Sequence, residues 1–307
     1  MTVATSEDEQ HPSTLAPTFG AGGLAHLRAG RYRPGAWVSL LSDSWAQSRA
    51  TATRHPTLTR SWRRLALTIA GTSALAASVP IVRRSGTRHA AIAAIWLAGG
   101  NSAHMTDLYV HLGLHRDTDG SHYPVLGAPM TLTAMRGWTA TWLISQIAAR
   151  RLVPLPALVV ALATIIITDI TDGPLARAQD RSSPLGAYLD GEADLFAWGA
   201  LTVAQARRGQ LPNWFAVAVT FRWLMPTIVG LIRSFATTTP VAPRRSLVGI
   251  AAGSAHVALA ATALLAEVRA DSPDAPRWSR VCHILTVLTS VGFIAATTSH
   301  LWRLRRH

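Results

Sequence analysis

A chain of 307 residues that is 49% hydrophobic, carries a formal charge of +13 and has positive mean hydropathy fits a soluble or a membrane protein on totals alone. Its apolar residues fall into runs near the ~20 residues that cross a bilayer, which decides for the membrane. One cysteine, Cys282, excludes an intrachain disulfide framework and a cysteine-based metal site. The basic residues are all arginine, scattered through short loops, which suits anionic lipid and phosphate and argues against nucleic acid.

The acidic N-terminus lacks a charged region followed by an apolar core, so it does not read as a cleavable signal peptide. Residues 1–30, rich in Ser, Thr, Pro, Gly and Ala, read as a mobile tail. Residues 36–49 place Trp37, Leu40, Leu41 and Trp45 on one helical face, flanked by Arg31, Arg33 and Arg49. That pattern fits an amphipathic helix on the membrane surface or an ordinary helix packed on the core. Together these make residues 1–60 an N-terminal extension.

An accessory membrane segment follows at 61–115. Its first span, 65–82, lies between Arg63-Arg64 and Arg83-Arg84, with Pro80 near its end where a kink is tolerated. The second, 88–103, has a short apolar part and is open to extension through 104–114 as one longer helix. There His104, Asp107, His111 and His115 fall close to one helical face. Such a stripe either binds a transition metal, with Asp107 orienting a ring or ligating, or is a plain polar face. Nothing nearby repeats the pattern, which favours the polar face.

Residues 116–129 carry Gly, Pro and acidic residues without a period and read as loop. Six spans follow, at 130–149, 153–170, 187–206, 213–233, 246–266 and 281–302, separated by short loops. The Asp172-Gly173-Pro174 step is expected to break the second of them. The fold class is therefore all-α: a polytopic membrane helical bundle with a six-helix core at 130–307 and two further N-terminal spans. No tandem repeat and no separate soluble domain is visible.

The chemistry concentrates at 169–194. Asp169 and Asp172 are i, i+3 and Asp190 and Asp194 are i, i+4, so each pair shares one face of its helix. A carboxylate beside a membrane span is expensive, roughly 2.5–3.5 kcal/mol by insertion scales, and four together repel unless protons or cations neutralise them. Hard oxygen ligands suit Mg²⁺ or Mn²⁺, and two divalent cations balance four carboxylates.

The pattern D-x₂-D-G-x₂-A-R-x₈-G-x₃-D-x₃-D, met at Asp169, Asp172, Gly173, Ala176, Arg177, Gly186, Asp190 and Asp194, resembles the signature of the CDP-alcohol phosphotransferases. Pro129, Leu132-Thr133 and Arg136 look like the P-N-x-L-T-x-x-R entry to the first core helix of that family, without its usual Asn. Arg136 is then a ligand of a substrate phosphate, or merely an interfacial arginine that snorkels. The resemblance covers 130–307.

What the resemblance implies is an enzyme that moves a phosphoalcohol from a CDP-alcohol, CDP-diacylglycerol above all, to an acceptor hydroxyl with release of CMP. Asp169, Asp172, Asp190 and Asp194 would hold two Mg²⁺ or Mn²⁺ ions, with Asp194 as general base. Asp169, Asp172, Gly173, Ala176, Arg177 and Gly186 would bind the CDP moiety. Gly and Ala let a flat base and a diphosphate approach the backbone, although they also serve close helix packing. Arg177 offers a planar fork to phosphate. Arg233, Arg244 and Arg245, with Arg136, are candidates for an acceptor's phosphate; a plain basic loop is the alternative.

A homodimer in the plasma membrane with its site facing the cytoplasm, where CDP-linked donors are made, completes the expectation. A soluble CDP-alcohol with diacylglycerol as acceptor uses the same motif. Two readings from other classes are a cation or proton transporter, which predicts carboxylates deep within spans and inverted repeats, and a binding scaffold without turnover.

Overall fold

The computed structural model describes residues 21–82, 87–237 and 247–305. These form ten α-helices and one 3₁₀ turn, with no strand among the described residues beyond a single antiparallel bridge between Arg116 and His122. In chain order the helices are α1 (Ala21–Ala29), α2 (Pro34–Arg54), α3 (Pro56–Val82), α4 (Thr87–Val110), α5 (Ala128–Ala148), α6 (Leu155–Ala178), α7 (Pro184–Arg207), α8 (Asn213–Thr237), α9 (Leu247–Val268) and α10 (Ala275–Arg305). The 3₁₀ turn, Leu112–Leu114, follows α4.

Four of these helices are long and apolar enough to cross a membrane: α6, α8, α9 and Ala275–Ser299 of α10. The protein is an all-α polytopic membrane bundle. Helices α3, α4, α5 and α7 match the length, at 27, 24, 21 and 24 residues. Their hydropathy is lower because they carry Arg63 and Arg64, His104 and Asp107, Arg136, and the Asp190–Asp194 turn respectively.

Three readings change. Of the expected mobile tail, residues 1–20 lie outside the described residues, and Ala21–Ala29 is helical and buries Leu24 and Leu27. The segment after 88 is one helix to Val110, as the longer alternative had it, and stops before His115. Helix α6 does not break at Gly173-Pro174 but continues to Ala178. A proline there removes one N–H close to a polar helix end. The Gly173 N–H donates to Asp172 Oδ1 (2.7 Å), and the last turn closes with Gln179 N–H to Leu175 O and Arg181 N–H to Ala176 O.

Two apolar cores flank the motif. One joins Leu143 of α5, Ile165 of α6, Leu201 of α7 and Leu264 of α9. The other joins Leu58 of α3 and Met105 of α4 to Met130 of α5 and Leu185 of α7, so the accessory helices share a core with the motif helices. A third, under α8 and α10, centres on Phe215, Leu259 and Phe293. Between the accessory helices and α5, Ser73 Oγ accepts from Asn101 Nδ2 (2.9 Å) and Trp138 Nε1 (3.0 Å) and donates to Ile69 O. Hydrogen bonds of this kind tie helices together where lipid offers no hydrophobic drive.

Helices α4 and α5 approach closely at Gly100, where an added Cβ would sit 2.6 Å from Thr141 Cγ2. Thr141 is β-branched and its hydroxyl is committed to Gly137 O at 2.9 Å, so it has little freedom to yield. Gly100→Ala is expected to cost about 1–3 kcal/mol by overpacking, read as a lower thermal midpoint in detergent. An unchanged midpoint would show that α4 moves away at no cost.

Candidate active site

Arg136, on the buried face of α5, has no exposed surface and is the hub of the site. Its Nη1 donates to Asp169 Oδ1 (2.9 Å) and Asp194 Oδ1, and its Nη2 to Asp172 Oδ2. Asp190 Oδ1 lies 3.0 Å from Nη2 as an ion pair. One guanidinium therefore meets all four motif carboxylates, two from the end of α6 and two from the start of α7. The snorkelling reading of Arg136 does not hold: the side chain points into the carboxylate cluster, not toward an interface.

The four carboxylates are not equivalent. Asp172 has a side chain only 9% exposed, against 41% for Asp169, 32% for Asp190 and 22% for Asp194. Both Asp172 oxygens are engaged, Oδ2 by Arg136 and by the Thr133 hydroxyl (3.0 Å), and Oδ1 by the Gly173 N–H. Asp169, Asp190 and Asp194 each present an oxygen within 4.8 Å of the other two. Asp190 Oδ1 is buried and accepts no hydrogen bond. Three converging carboxylates, one of which has a buried oxygen without a hydrogen bond, fit a divalent cation.

Beside this cluster lies a cavity of about 200 Å³ between the start of α5, the end of α6 and the start of α7. Asp172, Gly173, Ala176, Arg177, Gly186 and Asp190 line it. Asp169 and Asp194 do not, and stand behind it around Arg136. A Cβ built on Gly173 would have only Arg177 within 4 Å, and one on Gly186 only Ser183. Neither glycine is small to admit another helix; their lack of a side chain leaves the cavity open. Gly127, with φ +49°, brings the chain so close to Arg181 that a Cβ would sit 2.8 Å from its Nη1.

Arg233 is half-buried on α8 and does not line this cavity, and Arg244 and Arg245 lie outside the described residues. The histidine stripe is not gathered. His104 faces Gly137, the His111 Nδ1 lies 2.8 Å from Asp107 O, and His115 is turned into the cavity wall. Among the described residues, the group of three with ligand spacing is Asp169, Asp190 and Asp194.

Two wall residues, Arg181 and Ser183, have no functional reading in the sequence, and two more, Thr133 and His115, enter it only through the helix-entry pattern and the histidine stripe, not as cavity wall. Ser183 had a readable signal, a serine before Pro184 at a helix start. Its Oγ accepts the Gly186 N–H at 3.1 Å and caps α7. Arg181 had none.

A helical bundle with membrane-crossing helices, a carboxylate cluster suited to divalent cations and an arginine-lined cavity at its edge defines a membrane protein built to hold a phosphate-bearing ligand. The chain belongs to the CDP-alcohol phosphatidyltransferase family, whose model matches residues 126–298. No curated protein and no solved structure matches it. The family's reaction transfers a phosphatidyl group from a CDP-alcohol in lipid synthesis, and its members generally use divalent metals.

Proposed function

We propose that the protein transfers the phosphatidyl group of CDP-diacylglycerol to an alcohol hydroxyl and releases CMP, as a homodimer in the plasma membrane with its site toward the cytoplasm. The observation that carries this is the adjacency of the Asp169/Asp190/Asp194 oxygens to a cavity lined by Gly173, Ala176, Arg177 and Gly186. A nucleotide diphosphate occupies the cavity, with Arg177 forking onto a phosphate and the glycines admitting the base. The acyl chains lie along the exposed apolar faces of the bundle. Clustering of the carboxylates at one end, without an inverted repeat in the sequence, disfavours a transporter.

Asp169, Asp172, Asp190 and Asp194 would hold Mg²⁺ or Mn²⁺, two per site. Arg136 alone leaves four carboxylates under-neutralised, and the donor's diphosphate adds more negative charge. Bound metal supplies Lewis-acid stabilisation of the diphosphate oxygens. The acceptor oxygen attacks the lipid-bearing phosphorus, its bond to the oxygen shared with CMP breaks, and CMP leaves with that oxygen. Asp194 takes the hydroxyl proton. Arg233, Arg244 and Arg245 are assigned to a phosphate on the acceptor, and Arg136 to holding the carboxylates.

The test is CMP release by the purified protein in detergent with Mg²⁺ or Mn²⁺ and CDP-diacylglycerol, against glycerol phosphate, inositol phosphate, inositol and serine. Release that depends on one acceptor establishes the transferase and names its substrate. Silence with every acceptor, but turnover of a soluble CDP-alcohol with diacylglycerol, reverses donor and acceptor. Silence in both leaves a scaffold. Arg177→Gln is expected to raise the donor KM about 10–100-fold, the loss of a charge-assisted hydrogen bond. A kcat effect without a KM effect would remove Arg177 from donor binding.

A further inference from the structure

We propose that the segment preceding the family-matched region is part of the donor site, and that His115 is the positioning residue through which it acts. This rests on the donor reading of the cavity given above. His115 lies ahead of residue 126, where the family match begins, yet it lines the same cavity as Gly173, Arg177 and Gly186.

The hydrogen bonds around His115 fix its tautomer. Nε2 lies 3.0 Å from the Val125 carbonyl, which only accepts, so Nε2 carries the proton and donates. Nδ1, 3.2 Å from Ser183 Oγ, is then the acceptor of the serine hydroxyl. The same Ser183 oxygen accepts the Gly186 N–H and caps α7. A relay thus runs from the Val125 carbonyl through the imidazole and the serine hydroxyl to the first turn of the helix that carries Asp190 and Asp194.

A second bond supports the same connection. The Tyr123 hydroxyl donates to Ser182 O (3.3 Å), and the Tyr123 N–H donates to His115 O (3.1 Å). The loop between the 3₁₀ turn and α5 therefore clamps residues 182–183, the link between the two aspartate pairs. The loop is itself held by α3, whose Ser61 Oγ accepts the Leu126 N–H (3.1 Å), and α3 is tied in turn to α4 by Trp62 Nε1 donating to Met105 O (3.0 Å). The accessory helices thereby reach the cavity wall through His115 without touching the carboxylates.

His115 is 3% exposed, and burial holds its imidazole below the usual histidine range. The charged and titratable groups around it are Arg181 from the α6–α7 link, His122 and Arg116 from its own loop, and Tyr123, whose ring lies 5.2 Å away. His55 at the end of α2 stacks on His122 at 4.2 Å. After burial, the Arg181 guanidinium and the neighbouring His122 also oppose its protonation. Protonation would turn Nδ1 from acceptor to donor and reverse its bond to Ser183.

The experiment measures CDP binding to the full chain in detergent with Mg²⁺, for wild type, His115→Ala, His115→Asn, Ser183→Ala and the His115→Ala/Ser183→Ala pair. His115→Ala is expected to weaken CDP about tenfold, one hydrogen bond's worth. Asn keeps an acceptor near Nδ1 and recovers most of that loss. The double variant binds no more weakly than Ser183→Ala, because both act through one bond. As pH falls below the usual histidine range, wild-type binding weakens more steeply than that of His115→Asn, because only the imidazole gains a proton at the position that accepts from Ser183.

CDP binding unchanged in His115→Ala, additive losses in the pair, or an acid limb equally steep in wild type and His115→Asn would each overturn the role. A lower thermal midpoint with unaltered CDP affinity would make His115 a structural residue only. Wild type that binds no CDP would overturn the donor reading itself, and with it this inference.

Discussion

Replacing Arg136 with methionine is expected to destabilise the metal-free protein by about 3–5 kcal/mol, the cost of leaving buried charge without its partner. The side chain is fully buried, and removing it leaves four carboxylates facing one another with no cation between them. The expected readout is a markedly lower thermal midpoint in detergent with chelator, partly restored by Mn²⁺, which takes over the neutralising role. Arg136→Lys falls in between, since one compact ammonium cannot fork to oxygens on two helices as a guanidinium does. A methionine variant as stable as wild type in chelator would show that the cluster does not depend on Arg136 for its charge balance.

Asp194→Asn is expected to lower kcat by about 10²–10⁴-fold, the range for losing a general base. At saturating Mg²⁺ or Mn²⁺, which offsets the loss of one metal ligand, the donor KM should change little, because Asp194 does not line the cavity. Its stability should move the other way from Arg136→Met. Four carboxylates share one guanidinium, so neutralising one relieves repulsion and the variant melts at or above the wild-type midpoint. Measuring both quantities on one preparation separates the base from a merely structural acid: a full-rate Asp194→Asn sinks the assignment, and a large fall in midpoint makes its loss of rate uninformative about proton transfer.

The bundle is legible in the sequence because a membrane imposes its own length on apolar runs. The spans expected from 130 onward correspond one by one to α5–α10, and the errors fall where local rules compete with packing. Ala21–Ala29 looks like tail composition, but Leu24 and Leu27 find buried places that no local pattern announces. Pro174 reads as a stop, yet a helix near its polar end tolerates one missing N–H when the neighbouring Gly173 N–H has a carboxylate partner. The aspartate motif is legible because its spacing is short and helical.

The sequence alone does not decide between the two readings of Arg136. Its partners lie 33 to 58 residues away on two other helices, and nothing local distinguishes an arginine that meets four acids from one that snorkels. His115 is harder still, since its helical spacing with His104 and His111 suggested a stripe that ends when α4 stops at Val110. Only the turn after Leu114 swings it to the far wall. Thr133 shares the difficulty: the helix-entry pattern includes it, but nothing local shows that its hydroxyl bonds Asp172.

The position of Arg136 on α5 also bears on how the chain enters the bilayer. Synthesis runs from the N-terminus, so α5 emerges before α6 and α7. The guanidinium is already in place when the first aspartate pair arrives, and the short link at 179–183 delivers the second pair to the same spot. Acids that are costly to bury singly are thus handed, in order of translation, to a counter-ion waiting on the preceding helix. Neutralisation of the site is written into the direction in which the chain is synthesised.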